Sequence, residues 1–104
     1  MPENIFHVTR ATDWDAAVAA GEYRRSTVDR TLEEEGFIHC STAQQWPATV
    51  ERFYADAGEL LLLHIDEALL AAPLVYEQLG DAAEPFPHVY GPINLDAVVE
   101  VERL

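Results

Sequence analysis

The run LLLLHID at 60–66 constrains this chain more than any other stretch. Apolar on successive residues rather than alternate ones, it has the pattern of a strand buried on both faces, and the polar Asp66 closes it. With 104 residues there is room for one compact domain, spanning 1–104, built around one core. Apolar residues make up 49 % and charged residues 24 %, a composition that folds and is far from that of disordered chains.

Other segments arrange themselves around that strand. IFHVT at 5–9 reads as a strand with Ile5, His7 and Thr9 on one face and Phe6 and Val8 on the other. Thr12 and Asp15 suggest a capping box for a helix over TDWDAAVAAG, with Trp14, Ala17 and Val18 turned inward and Gly21 as its stop. Residues 22–30 are polar and arginine-bearing, which predicts a loop. Thr31 with Glu34 predicts a second capping box, for one turn that ends at Gly36.

FIHCS alternates again, placing Phe37, His39 and Ser41 opposite Ile38 and Cys40. A helix is expected from near Trp46, with Pro47 tolerated in its first turn; Val50, Phe53 and Ala57 continue its apolar stripe and Gly58 ends it. Asp66 is placed to cap a short turn over EALLAA. LVYEQL is a strand, GDAAEPFP a loop, HVY a short extended piece and AVVEVERL a final strand. Five or six short strands with two main helices, not in regular alternation, predict an α+β domain with a mostly antiparallel sheet.

Charge narrows the function classes. Six basic residues, all arginine, face 19 acidic ones for a net charge of −13. Without lysine there is no Schiff-base chemistry and no phosphate-loop lysine. So negative a chain repels DNA, and weighs against RNA as a partner. A small anionic ligand is compatible, because Arg10, Arg24, Arg25 and Arg30 fall in the first third and can line one local pocket. One cysteine permits no internal disulfide. The opening MPENIFHVTR lacks the marks of a signal peptide, and the leucine run is too short to span a bilayer, so the cytoplasm is the expected compartment and no membrane partner is expected.

The four histidines all sit in expected strands. Metal binding lacks its usual local spacing, although His7, His39 and His88 from three strands form a conceivable ligand set. Cys40 shares a face with Ile38 and points away from His39, the pattern of a packed thiol rather than a nucleophile. His64, following four leucines, belongs in or beside the core. His7 with Thr9, His39 with Ser41 and His88 with Tyr90 each put a histidine and a hydroxyl on one side of a strand. Together they suggest one cleft rich in neutral hydrogen-bond donors, suited to a sugar or phosphate; polar strand ends facing water are the plain alternative.

IFHVTR, GFIHCST before a helix, LLLLHID and FPHVYGPINLDAVVEV together resemble, over nearly the whole chain, a small bacterial family catalogued as domain of unknown function nine hundred and fifty-two. That family is similar to the ADP-ribosyltransferase-like superfamily, whose split antiparallel sheet grips NAD in a cleft. FHVT and GFIHCS look like two of the superfamily's strand motifs. The resemblance implies NAD as cofactor, with His7 and Thr9 at a ribose and its phosphate, Arg10 at the pyrophosphate, and Ser41 with His39 at the nicotinamide end. It implies His39, His88 and Tyr90 as the catalytic set. The superfamily's third strand commonly carries a glutamate where this chain has His88, and Glu84 lies four residues earlier. The expected function is therefore binding of NAD or an ADP-ribose-bearing small molecule, with cleavage or transfer of ADP-ribose. The rival expectations are a non-catalytic interaction or sensing domain and a histidine-based metal-dependent hydrolase.

Overall fold

The computed structural model describes residues 4–27, 30–55, 58–78 and 83–104. Strand β1 (Asn4–Arg10) runs straight into helix α1 (Ala11–Ala20). Three short strands follow, β2 (Glu22–Tyr23), β3 (Arg25–Thr27) and β4 (Arg30–Thr31), then the single turn α2 (Leu32–Glu35) and β5 (Ile38–His39). Helix α3 (Trp46–Phe53) leads to β6 (Leu60–Asp66). The last third holds β7 (Leu74–Glu77), β8 (Phe86–Val89), β9 (Ile93–Asn94) and β10 (Val98–Arg103), with 3-10 turns at Glu67–Leu69 and Leu95–Ala97.

The leucine run does what its pattern requires. β6 is the middle strand of an antiparallel sheet ordered β1, β6, β10. Leu63 and Ile65 on one of its faces join a core with Ile5, Ala17, Tyr23, Ile38, Cys40, Val89 and Ile93. Leu60 and Leu62 on the other join Val8 and Tyr54, covered by Trp46 and Val50 of α3. Burying a leucine fully, as at Leu63, is worth about 1.5–3 kcal/mol, so this strand is the main anchor of the fold.

A second antiparallel sheet is ordered β5, β8, β7. Its register sets Ile38 beside Val89 and Val89 beside Leu74, an apolar row facing the core. The alternate row, His39 beside His88 and His88 beside Val75, faces away from it. Two backbone hydrogen bonds of 2.7 Å between Phe6 and Ser41 stitch this sheet to β1. All strand pairings among the described residues are antiparallel, and the class is a small α+β fold with two main helices and one single turn.

Local signals came out unevenly. The Thr31–Glu34 capping box forms in both directions, with Gly36 in the left-handed conformation behind it. Pro47 lies in the first turn of α3, and Asp66 accepts a hydrogen bond from the Ala68 N–H. The expected Thr12 cap does not form, because α1 starts directly from β1 with Arg10 at its cap. Val18 is half exposed rather than inward. The segment read as a loop at 22–30 instead holds β2, β3 and the start of β4, with Tyr23 and Ser26 wholly buried; Val28 and Asp29 lie outside the described residues. Helix α3 ends at Phe53, well before Gly58, and Ala57 and the Phe53 side chain lie outside the described residues. Of the expected GDAAEPFP loop, Phe86 and Pro87 belong to β8, while residues 80–82 lie outside the described ones. No described helix is long and apolar enough to cross a membrane.

Candidate functional site

Alternation along β8 and β7 puts Phe86 and His88 on one face with Glu77, and β5 adds His39 to the same row. This row floors a cleft of about 680 Å³. Phe37 stacks on His88 with centroids 4.1 Å apart and planes at 17°, and Phe86 lies 5.0 Å from His39, so the floor is a patchwork of four rings. Arg52 and Thr49 of α3 form one wall, and Thr27 and Arg30 another. Gln45 ties down a third wall: its Nε2 donates to Glu84 (2.6 Å) and to the Pro85 carbonyl (2.9 Å), while its Oε1 accepts from the Thr42 N–H.

The floor is polarised in one direction. A carboxylate only accepts, so His88 Nδ1–H donates to Glu77 Oε1 at 2.9 Å. In a neutral His88 the Nε2 is then bare and accepts from His39 Nδ1, 3.4 Å away. The Tyr90 hydroxyl also donates to Glu77. These two donors, Tyr90 first, hold the Glu77 carboxyl below the usual carboxylate range, and Glu77 in turn raises Tyr90. Burial, then the neighbouring His88 and Arg52, lower His39 to about 4, so His39 is neutral at pH 7.

His7 occupies a different environment. Its Nδ1–H donates to the His39 carbonyl oxygen at 2.6 Å, and its Nε2 lies 2.8 Å from the Tyr23 hydroxyl, itself 2.8 Å from Thr9 Oγ1. Burial lowers His7 to about 4, against the raising effect of that carbonyl, and burial pushes Tyr23 well up. The network is internal. The expected single cleft of three histidine-plus-hydroxyl strand ends therefore does not form: His39 and His88 line the cleft, whereas His7 and Thr9 are buried behind the His39 backbone.

The remaining expected residues also divide. Ser41 is buried, 3.2 Å from the Thr49 hydroxyl, and touches the cleft only through that residue. Tyr90 stands beside the floor, its ring 5.6 Å from Phe37. Arg10 and Arg25 both pair with Asp13, and Arg24 with Glu22 and Glu33, so the expected arginine pocket is dispersed and Arg30 alone of the four lines the cleft. Cys40 is fully buried with its thiol pushed up by desolvation, a packed residue. With His7 bonded through both ring nitrogens, His7, His39 and His88 do not converge as a ligand set. Among the described residues, the close grouping of metal-type donors is on the other sheet: His64, Glu100 and Glu102, with donor atoms within 4.8 Å of one another.

Glu77, Gln45 and Arg52 were not anticipated from the sequence. Glu77 had a faint signal, since it sits two residues from Val75 and so shares a face with whatever β7 presents beside β8; Gln45 and Arg52 had none.

No curated protein matches the chain. Among solved structures, the crystal structure of protein CC0527 from Caulobacter crescentus superimposes with a TM-score of 0.81 at 30 % identity, covering 97 % of this chain and 85 % of that one. A double-methionine variant of it gives 0.81 at 26 % identity over the same shares, and the solution NMR structure of CC0527 gives 0.75 at 30 %, covering 97 % and 84 %. The family described as "Protein of unknown function (DUF952)" matches residues 8–101, a span that includes β5, β7 and β8 with the whole floor of the cleft. The chain belongs to the DUF952 family.

Proposed function

We propose that the cleft binds NAD or a small molecule bearing ADP-ribose, and that its chemistry is cleavage or transfer of that ADP-ribose. The observation that carries this reading is the floor of four rings set beside two arginines. Flat aromatic surfaces stack planar bases, and guanidinium groups hold phosphates. The hydroxyls of Thr27 and Thr49 and the amide of Gln44 suit ribose hydroxyls. The volume falls within the range of small-molecule sites. The ADP-ribosyltransferase-like resemblance supports the same ligand, now contacted through Arg30, Arg52, His39 and His88 instead of His7, Thr9 and Arg10.

In the transfer reaction the bond from ribose C1′ to the nicotinamide nitrogen breaks, the electron pair leaves with nicotinamide, and an acceptor hydroxyl oxygen bonds to C1′ as its O–H bond breaks and the proton passes to solvent. His39 and His88 orient the ring, and Tyr90 buttresses them through Glu77 and Phe37. A second reading, a binding domain without turnover, is favoured by one observation: the Glu77 carboxylate is already engaged by His88 and Tyr90.

Ligand-observed NMR titration with NAD, ADP-ribose and nicotinamide tests the ligand. Saturable binding to the wild-type protein, weakened about tenfold or more in Arg52→Ala and in His39→Ala, is the expected result. Absence of saturable binding to the wild-type protein would sink the assignment. Free nicotinamide released from NAD separates turnover from binding alone.

A further inference from the structure

We infer that the cleft takes up one proton, held by Glu77, His88 and His39 together, when it binds a phosphate-bearing anion. This rests on the reading of the cleft as a site for phosphate-bearing ligands.

The argument begins with charge. Among the described residues, Arg30 and Arg52 line the cleft against Glu35, Glu77 and Glu84, and Arg30 already lies 3.7 Å from Glu35. Counting its arginines against its carboxylates, the cleft has an excess of negative charge on a chain of net −13. A dianion entering it favours protonation of any nearby group able to accept a proton. Of the lining groups, the imidazoles of His39 and His88 are the side chains that gain a positive charge by taking up a proton.

Geometry chooses between them. His88 already points Nδ1–H at Glu77, and its Nε2 faces His39 Nδ1. As an imidazolium it donates both ways, to Glu77 and to His39, so its charge lies against a carboxylate. The proton balance closes within the array: the added proton comes from solvent, the His39 Nδ1 proton passes to His88 Nε2, and His39 remains neutral with its proton on Nε2. Arg52 and the buried setting oppose a charge on His39 itself. Tyr90, the other group on Glu77, donates its hydroxyl hydrogen and leaves the carboxylate ionised. Glu77 is thus a positioning residue that fixes the His88 tautomer and holds the new charge.

The test is calorimetric titration of the wild-type protein with ADP-ribose at pH 8 in two buffers of different ionisation enthalpy. Alongside it, NMR titration of the His88 ring is followed with and without ADP-ribose, and with and without sulfate, a dianion that does not titrate in this range. Close to one proton taken up per ligand, affinity rising up to tenfold per pH unit on acidification, and a His88 titration moved upward by either anion are expected. In Glu77→Gln the uptake should fall close to zero. Having lost a negative charge, that variant should bind ADP-ribose more tightly than wild type at pH 8 and with little pH dependence, whereas a merely structural role for Glu77 predicts weaker binding at every pH.

Binding by wild type without proton uptake, or uptake retained in Glu77→Gln, overturns the inference. A response to sulfate with uptake but none to ADP-ribose upholds it while removing the proposed ligand. No response to either anion overturns both.

Discussion

His7, in the sheet of β1, β6 and β10, and His88, in the sheet of β5, β8 and β7, expose only 2 % and 4 % of their surface, yet their surroundings are opposite in kind. His7 meets a backbone carbonyl and a phenol, both neutral, and is sealed among side chains that serve the core. His88 meets a carboxylate and a second imidazole, and lines an open cleft. Burial measures distance from water; the partners decide whether a ring can change its charge or only fill its place. The first sheet seals its histidine inside, and the second presents its histidine and carboxylate to an open cleft.

Several substitutions can break or sharpen that division. The largest effect is expected from Leu63→Ala, which leaves a hole on β6 and should cost about 2–5 kcal/mol in urea unfolding. If the folded fraction then binds ADP-ribose with much altered affinity, the two sheets are not independent. Next comes acid. His7 is lowered to about 4 in the folded protein against an ordinary 6.5, so the unfolded chain binds the proton first. Its contribution is fully present above pH 6.5 and is lost as pH falls toward 4, to the extent of a few kcal/mol, on the order of the 1.36 kcal/mol carried by each pH unit. Urea midpoints at pH 7, 5.5 and 4.5 should show this loss, smaller in His7→Gln. An equal reduction in His88→Gln would erase the contrast between the two rings. The smallest effect belongs to Thr31→Ala, which removes the capping box of α2 at a cost of about 1 kcal/mol, read as a shift in the urea midpoint with cleft affinity unchanged.

The strands of both sheets were legible in the sequence, but the pairing that builds the cleft on the second was not. β6 declared itself because four successive leucines require cover on both faces, and the cap at Thr31 and Glu34 is a bond between residues three apart. Strand alternation correctly grouped His7 with Thr9. It could not say that Tyr23, from a stretch whose polar composition hid two short strands, would arrive and close that face. The cleft depends on register: Glu77 reaches His88 only because Val75 sits opposite it across the pairing of β7 and β8, and Gln45 meets Glu84 from thirty-nine residues away. Histidines announce themselves in a sequence, whereas the carboxylate that gives one of them its direction is one of nineteen acidic residues.

Cys40 sits where the two sheets join, its N–H bonded to the Pro87 carbonyl and its neighbour Ser41 bridged to Phe6. Being the sole thiol, buried and kept protonated, it reacts with an alkylating reagent only when that seam parts. Its labelling rate is therefore a clock for local opening. Set against the rate of global unfolding, it tells whether the cleft side can swing loose while the leucine strand holds.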